Sequence, residues 1–175
     1  MKTPIDRRRF LALGAALVFA RPSFALAPER ALVLRNPHTE ETLDTVYWAD
    51  GQYLADPLAR FNHLLRDHRG GEVAVMAPRL LDLLFSLSQT LDCAAPIEIL
   101  SGYRAPSGNT PLTARSDGVA KGSLHSSGMA VDIRIPGRDL VRVRQVALEL
   151  RAGGVGFYPG PGFIHVDVGR VRSWG

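Results

Sequence analysis

Apolar and polar residues alternate over several short stretches of the chain, and this pattern predicts β-strands. The first two stretches are residues 31–35 and 45–48, and the break at Asn36-Pro37 between them predicts a hairpin. Residues 155–158 and 163–168 flank a turn rich in proline and glycine, and they predict a final hairpin. Further strands are predicted between the two hairpins, over residues 96–100 and 130–135.

Three other stretches repeat apolar residues at the spacing of an amphipathic helix. The first follows Asp56-Pro57, which predicts a helix with Asp56 as its cap and Pro57 at its first position. The second runs from about residue 78 to residue 92, and the third is predicted to stop at Gly153-Gly154. The apolar stripes are Leu58, Phe61 and Leu65; Leu80, Leu84, Leu87 and Leu91; and Leu140, Val143, Ala147 and Leu150.

Strands and helices occur without regular βαβ alternation, and this favours an α+β fold. Residues 105–128 form a long polar loop with four glycines, and a loop of this length in a compact domain is usually functional. We expect a single domain in which helices pack on one side of a small antiparallel sheet.

The N-terminal residues 1–27 have the composition of an export signal. Three arginines, Arg7-Arg8-Arg9, precede an apolar run over residues 10–20, and Ala25-Leu26-Ala27 predicts a cleavage site. The run is too short to span a bilayer, and the order Arg-Arg-x-Phe-Leu resembles a twin-arginine signal. A basic disordered tail would not account for the apolar run. We expect export to the periplasm or cell envelope, with a cut after Ala27 or Ala25 and a mature domain of residues 28–175.

This N-terminal segment carries the whole net charge of the chain. Residues 1–27 contain five of the 21 basic and one of the 17 acidic residues, so the remainder balances at 16 and 16. Nucleic-acid binding needs a basic patch on the folded domain, and this balance does not support one. The single cysteine, Cys93, follows an apolar helical run, which predicts a small buried hydrophobic residue rather than a catalytic thiol.

Candidate metal ligands and an upstream arginine lie in three short segments of strand and loop. The segments are Ser101-Gly-Tyr-Arg104, then Ser123-x-His125-x-x-Gly128-x-Ala130-x-Asp132, then Phe163-Ile-His165-Val-Asp167. Two imidazoles and one carboxylate form a mixed nitrogen and oxygen set that suits Zn²⁺. Three protein ligands leave a fourth coordination position, and this is typical of catalytic rather than structural zinc.

Strand alternation places several of these side chains together. In the strand over residues 130–135 the apolar side chains share the core face, so Asp132 lies on the opposite face. The same alternation places His165 and Asp167 opposite the core face of the last strand. If the two strands are neighbours, the three side chains converge on the open sheet face, and His125 reaches them from the loop. An isolated histidine is more often structural than a ligand, so the shared faces favour a zinc site without establishing it.

Taken together, the segments resemble the LAS-type zinc metallopeptidases. This group includes D-Ala-D-Ala carboxypeptidases, dipeptidases and murein endopeptidases, and it shares its fold with hedgehog signalling domains. The resemblance is greatest to the exported murein endopeptidases and covers roughly residues 77–169. Asn109 and the stretch Gly153-Gly-Val-Gly156-x-Tyr158 also match. Several separated segments agree in order and spacing, and the helical His-Glu-x-x-His of other zinc proteases is absent from the sequence.

The resemblance implies roles for individual residues. His125, Asp132 and His165 would bind one Zn²⁺ per chain, and Arg104 would position the substrate and stabilise an oxyanion. Two further residues would contact the substrate, with capping of the loop and packing as their respective alternatives: Ser123 and Tyr158.

The general base departs from the family pattern. Several relatives have a glutamate or histidine two or three residues before the last ligand, where this chain has Gly162 and Phe163. Asp167 is the nearest ionisable substitute on the same face. It would act either as the catalytic base or as a carboxylate that orients His165, and the sequence does not choose between these roles.

The function implied by the resemblance is zinc-dependent hydrolysis of amide bonds in peptidoglycan stem peptides or cross-links, during cell-wall remodelling. The alternatives are a non-catalytic, zinc-containing module that binds peptidoglycan or a protein, and a D,D-carboxypeptidase or dipeptidase. The expected partner is the stem peptide. We expect no nucleic acid, no membrane span in the mature form, and a monomer.

Overall fold

The computed structural model describes residues 29–106 and 123–175. The predicted signal over residues 1–27 and Asn109 lie outside the described residues, as does most of the predicted loop. The strands are β1 (Arg30–Arg35), β2 (Thr42–Ala49), β3 (Gln52–Tyr53), β4 (Ile97–Ser101), β5 (Ala130–Arg134), β6 (Gly154–Tyr158), β7 (Phe163–Asp167) and β8 (Arg172–Trp174). The helices are α1 (Ala55–Leu64), α2 (Pro78–Thr90) and α3 (Leu140–Leu150).

All the described strands join one sheet in the order β3-β2-β1-β4-β5-β7-β6-β8. Both predicted hairpins form, as β1 with β2 and as β6 with β7. The prediction of a small antiparallel sheet is wrong, because the sheet has eight strands and two parallel pairs, β1 with β4 and β6 with β8. A long connection joins the strands of each parallel pair. Between β1 and β4 the chain forms β2, β3, α1 and α2, and between β6 and β8 it forms β7.

The predicted helices form, but two of their ends differ from the prediction. Leu54 is the N-terminal cap of α1, and Asp56 lies inside the first turn. The backbone nitrogen of Leu54 donates to the carbonyl oxygen of Tyr47 at 2.9 Å, so the contact with β2 sets the start of the helix. Helix α3 ends at Leu150, before the predicted glycine pair, and the residue that caps it, Arg151, adopts a left-handed φ of 49°.

The core lies on one face of the sheet, where the three helices supply their buried side chains. Isoleucines from β4, β5 and β7 stand side by side there, because Ile99 pairs with Ile133 and Ile133 pairs with Ile164. All three are at most 1% exposed. The predicted alternation of β5 and β7 is therefore confirmed, and it directs Asp132 and His165 to the opposite face. Within the described ranges, no helix has the length and apolar character needed to cross a bilayer.

Candidate metal site

A row of residues crosses five strands on the face opposite the core. Asp132 on β5 pairs with His165 on β7. The two strands are therefore neighbours, which was the condition for their side chains to converge. The row continues to Ser101 on β4, and through Gly156 on β6 to Trp174 on β8. We call these five positions the polar row: Ser101, Asp132, His165, Gly156 and Trp174.

His125 reaches the polar row from the turn that precedes β5. Gly128 closes this turn at a φ of +66°, and a Cβ there would lie 2.4 Å from the carbonyl oxygen of Val75. Only glycine fits both the backbone conformation and the close approach. The imidazole of His125 is 3% exposed and points at the carboxylate of Asp132.

Three donor atoms, one from each candidate ligand, meet at this point. Nε2 of His125 lies 3.1 Å from Nδ1 of His165, and Oδ1 of Asp132 lies 3.3 Å and 3.0 Å from these two nitrogens. Ligands about 2.1 Å from a tetrahedral zinc ion stand roughly 3.4 Å apart. The three atoms are therefore spaced closely enough to bind one small cation together.

The other ring nitrogens identify which atoms carry lone pairs. Nδ1 of His125 lies 2.7 Å from the carbonyl oxygen of Gly102, which can only accept, so this nitrogen carries the hydrogen. Nε2 of His165 lies 3.1 Å from Oδ2 of Asp167 and donates to it in the same way. The remaining nitrogens, Nε2 of His125 and Nδ1 of His165, face each other and Asp132, and each offers a lone pair when its ring is neutral. A buried cluster of three acceptors fits a metal ion, which supplies the positive charge that the cluster lacks.

The ionisation of the site follows the same logic. Burial alone raises the pKa of Asp132, but contacts with His125 and His165 outweigh it and hold the pKa well below its usual range. Burial lowers the pKa of His165, but the contacts with Asp132 and Asp167 raise it by more, so the net shift of the pKa is upward. Both directions fit a cluster that attracts positive charge. A proton and a metal ion therefore compete for the same atoms.

Asp167 is fully buried and its two oxygens have five polar contacts. Oδ1 accepts from the backbone nitrogens of Gly154 and Gly169, both at 2.8 Å, and from Arg172. Oδ2 accepts from Arg172 at 2.7 Å and from His165. Burial would raise the pKa of Asp167, but these donors hold it well below its usual range. The carboxylate thus remains ionised and directs its charge at the imidazole of His165.

Arg104 contacts the same cluster from outside. Its Nε donates to Oγ of Ser101 at 2.7 Å, and its Nη2 donates to Oδ2 of Asp132. Oδ1 of Asp132 is thereby left to face the imidazoles. The side chain of Arg104 is 53% exposed, so the guanidinium lies where the buried cluster meets solvent.

Comparison with known proteins identifies the family of the chain. The family model described as "Peptidoglycan L,D-endopeptidase MepK", of the M15 peptidases, matches residues 25–174. The chain belongs to this family. The protein of that name from Escherichia coli strain K12 is 39% identical over 180 residues, 99% of each chain, as is the one from Shigella flexneri. The "Probable peptidoglycan L,D-endopeptidase MepK" of Haemophilus influenzae is 37% identical over 177 residues, 97% of this chain and 95% of the relative. No solved structure gives a significant match.

Membership of this metal-dependent peptidase family confirms the resemblance to the LAS-type metallopeptidases of the murein endopeptidase branch, and the protein is an enzyme. The two residues predicted to contact substrate lie in different parts of the site. Tyr158 lies near the row, where its hydroxyl accepts from Nε1 of Trp174 at 2.9 Å and its ring stacks on Phe163. Ser123 is half-buried at the start of the turn, where its carbonyl oxygen accepts from the backbone nitrogen and hydroxyl of Ser126.

Two residues that contact the site were not predicted from the sequence, Arg172 and Trp174. The guanidinium of Arg172 binds Asp167, and the ring of Trp174 lies 5.2 Å from that of His165, centroid to centroid. No local sequence pattern marks them, because they lie on a strand of three residues that carries no apolar alternation.

Proposed function

We propose that the protein is a zinc-dependent peptidoglycan L,D-endopeptidase in which His125, Asp132 and His165 bind one Zn²⁺ on the sheet face opposite the helices. The observation that carries the proposal is the convergence of three lone-pair atoms, each held by a hydrogen bond or ion pair on its far side. Zinc suits two imidazoles and a carboxylate in tetrahedral geometry, and three protein ligands leave room for the reaction.

The substrate class and the bond come from the relatives, whose names describe peptidoglycan L,D-endopeptidases. Identity of 39% over 99% of both chains supports the same activity here. The substrate is then a stem peptide or cross-link of peptidoglycan, cut between an L and a D centre. Ser123 and Tyr158 are proposed to contact this peptide at the edges of the site.

A bound zinc ion would supply Lewis-acid chemistry for amide hydrolysis. The chain itself supplies charge and orientation. Arg104 holds one oxygen of Asp132 and presents an exposed guanidinium beside the ligand cluster. A guanidinium in this place can bind a peptide carboxylate or the oxygen on which negative charge develops.

Of the two roles predicted for Asp167, the contacts support orientation of His165 rather than proton transfer. Five contacts from four groups fill its acceptor sites, and its side chain has no exposed surface through which water could reach it. A carboxylate that accepts from the far nitrogen of a ligating imidazole fixes the tautomer and the ring plane. We propose this role for Asp167.

The deciding experiment is a digest of purified cross-linked muropeptides by the zinc-loaded mature protein, read by mass spectrometry. Wild type should cleave, and product masses should place the cut at an L,D bond. His125→Ala should bind no stoichiometric zinc and should not cleave. His63→Ala is the matched control, because His63 is an exposed histidine on α1 and should leave both properties unchanged. Zinc binding without cleavage by wild type would contradict the proposal.

We also propose that residues 1–27 direct export to the periplasm by the twin-arginine route and that the mature protein is a monomer. Replacement of Arg7 and Arg8 by lysine should retain the protein in the cytoplasm, because this route is receptor-read. Mass spectrometry of the periplasmic protein gives the cleavage site, and light scattering gives the oligomeric state. A periplasmic double-lysine variant would contradict the route.

A further inference from the structure

Three neighbouring strands carry pairs of residues two positions apart that face the same side of the sheet. Strand β6 carries Gly154 and Gly156, β7 carries His165 and Asp167, and β8 carries Arg172 and Trp174. Gly156 pairs with His165 on one side and with Trp174 on the other, and Gly154 pairs with Arg172. The two glycines therefore separate the last metal-site strand from the C-terminal strand.

The glycines form slots through which the side chains of β8 reach β7. A Cβ on Gly156 would lie 2.7 Å from the indole ring of Trp174. A Cβ on Gly154 would lie 2.4 Å from Oδ2 of Asp167 and 2.5 Å from Nη1 of Arg172. Cβ atoms do not approach other atoms this closely, so any side chain at either position would displace these groups. Glycine in a strand interior weakens the strand. Glycine is required at these two positions because the neighbouring side chains approach the backbone so closely.

Through the slot at Gly154, Arg172 binds the carboxylate that contacts His165. Its Nη1 and Nη2 lie 3.2 Å from Oδ1 and 2.7 Å from Oδ2 of Asp167, in the two-point geometry that guanidinium and carboxylate favour. Asp167 has no exposed surface, so water does not compete with Arg172 for its carboxylate. Arg172 thereby fixes both the charge and the orientation of Asp167.

Through the slot at Gly156, Trp174 packs against the metal-site imidazole. The two ring centroids are 5.2 Å apart with an interplanar angle of 49°. Nε1 of Trp174 donates to the hydroxyl of Tyr158 at 2.9 Å, and the guanidinium of Arg172 lies over the indole at 5.0 Å. The indole is held from two sides and restricts rotation of the His165 ring.

We propose that Arg172 and Trp174 are positioning residues for the metal site and that the C-terminal strand β8 is therefore part of that site. Arg172 acts through Asp167, which keeps the hydrogen of His165 on Nε2 and the lone pair on Nδ1. Trp174 holds the ring plane. The inference rests on the proposed role of His165 as a ligand.

The test measures zinc affinity by competition with a chromophoric chelator, together with the thermal midpoint of the zinc-free protein. Arg172→Ala and Trp174→Ala should each weaken zinc binding roughly 10- to 100-fold, the usual cost of losing a group that orients a ligand. Arg172→Lys and Trp174→Phe should recover part of the loss. Ser173→Ala is the matched control, because this exposed residue lies on the same strand between the two.

A coupled substitution tests the slot itself. Gly156→Ala should weaken zinc binding because the new methyl group displaces the indole. In a Trp174→Ala background the methyl group has space, so the second change should add little. Such non-additivity is the signature of two groups in direct contact.

Wild-type zinc affinity in Arg172→Ala and Trp174→Ala would overturn the proposal. So would a loss of affinity shared by Ser173→Ala, or one matched by an equal loss of stability in the zinc-free protein, since β8 would then serve only the fold. His165→Ala separates the two levels of inference. If it keeps full zinc affinity, the ligand assignment itself fails. If it loses zinc while the β8 variants keep it, only the role of β8 fails.

Discussion

His125 donates a hydrogen bond from Nδ1 to the carbonyl oxygen of Gly102 at 2.7 Å, and this contact connects the metal-site turn to the end of β4. The backbone nitrogen of Tyr103 in turn donates to the carbonyl oxygen of Leu65 at 2.7 Å, just beyond α1. A Cβ on Gly102 would lie 2.2 Å from that oxygen of Leu65. The segment that fixes the tautomer of His125 is thus pressed against backbone that cannot easily move.

The first prediction follows from this contact. Gly102→Ala should displace the segment and weaken zinc binding roughly 10-fold or more, because His125 loses its aligned acceptor. Chelator competition measures the change. Gly160→Ala is the matched control, since a Cβ at Gly160 meets nothing within 4 Å. Equal zinc affinity in the two variants would show that the carbonyl of Gly102 does not orient the ring.

A second prediction concerns metal removal. The three converging acceptor atoms repel one another, so a bound cation should stabilise the folded chain. At a zinc concentration about 100 times Kd, linkage gives about 2.7 kcal/mol. The thermal midpoint should rise with zinc and fall again with a chelator, whereas the midpoint of His165→Ala should respond to neither. A wild-type midpoint that ignores zinc would contradict this expectation.

The sequence predicts those residues of the site that follow strand alternation or belong to a motif. Alternation alone placed Asp132 and His165 opposite the core, and the register of β5 with β7 confirms that they meet. The strand β8 could not be predicted in this way, because it is three residues long and carries no alternating apolar pattern. The position of β8 depends on tertiary contacts, since its side chains pack into the slots at the glycines of β6.

Local signals also varied in what they could settle about the fold. The hairpin between β2 and β3 has a local sequence signal in the pair Asp50-Gly51, whose φ angles of 50° and 80° suit a type I′ turn. The start of α1 was misplaced because Leu54 is held by a backbone contact with β2, which competes with the capping preference of Asp56. The parallel pairing of β1 with β4 depends on a crossover, for which no local pattern exists.

A third prediction uses a buried tyrosine on β2. The hydroxyl of Tyr47 donates to Oδ1 of Asp82 at 2.9 Å, and the side chain has no exposed surface. Burial, and then the charge of Asp82, raise the pKa of Tyr47 above its ordinary value of 10.0. The folded chain therefore retains this proton at a pH where the unfolded chain releases it. Its contribution to stability is complete below the ordinary pKa and declines as pH rises above it.

Wild type should therefore lose more free energy of unfolding than Tyr47→Phe between about pH 9 and about pH 11. Urea denaturation at several pH values measures the difference. Near neutral pH, wild type should be the more stable of the two proteins, because Tyr47→Phe loses a hydrogen bond to a charged group, worth roughly 1.5–3 kcal/mol. Parallel stability curves for the two proteins would show that Tyr47 ionises equally in the folded and unfolded chains.

The last prediction separates the two functions assigned to Arg104. Arg104→Lys keeps the charge but cannot bind Ser101 and Asp132 through a planar fork while presenting a further donor to substrate. Loss of a group that stabilises developing charge costs roughly 10²- to 10³-fold in kcat. The three ligands remain, so zinc affinity should fall much less than kcat/KM. Arg134→Lys is the matched control, because Arg134 is a half-exposed arginine on β5 that binds the carbonyl oxygens of Pro161 and Gly162. A variant with full turnover would show that Arg104 only supports Asp132, whereas equal losses of zinc and turnover would assign it wholly to the metal.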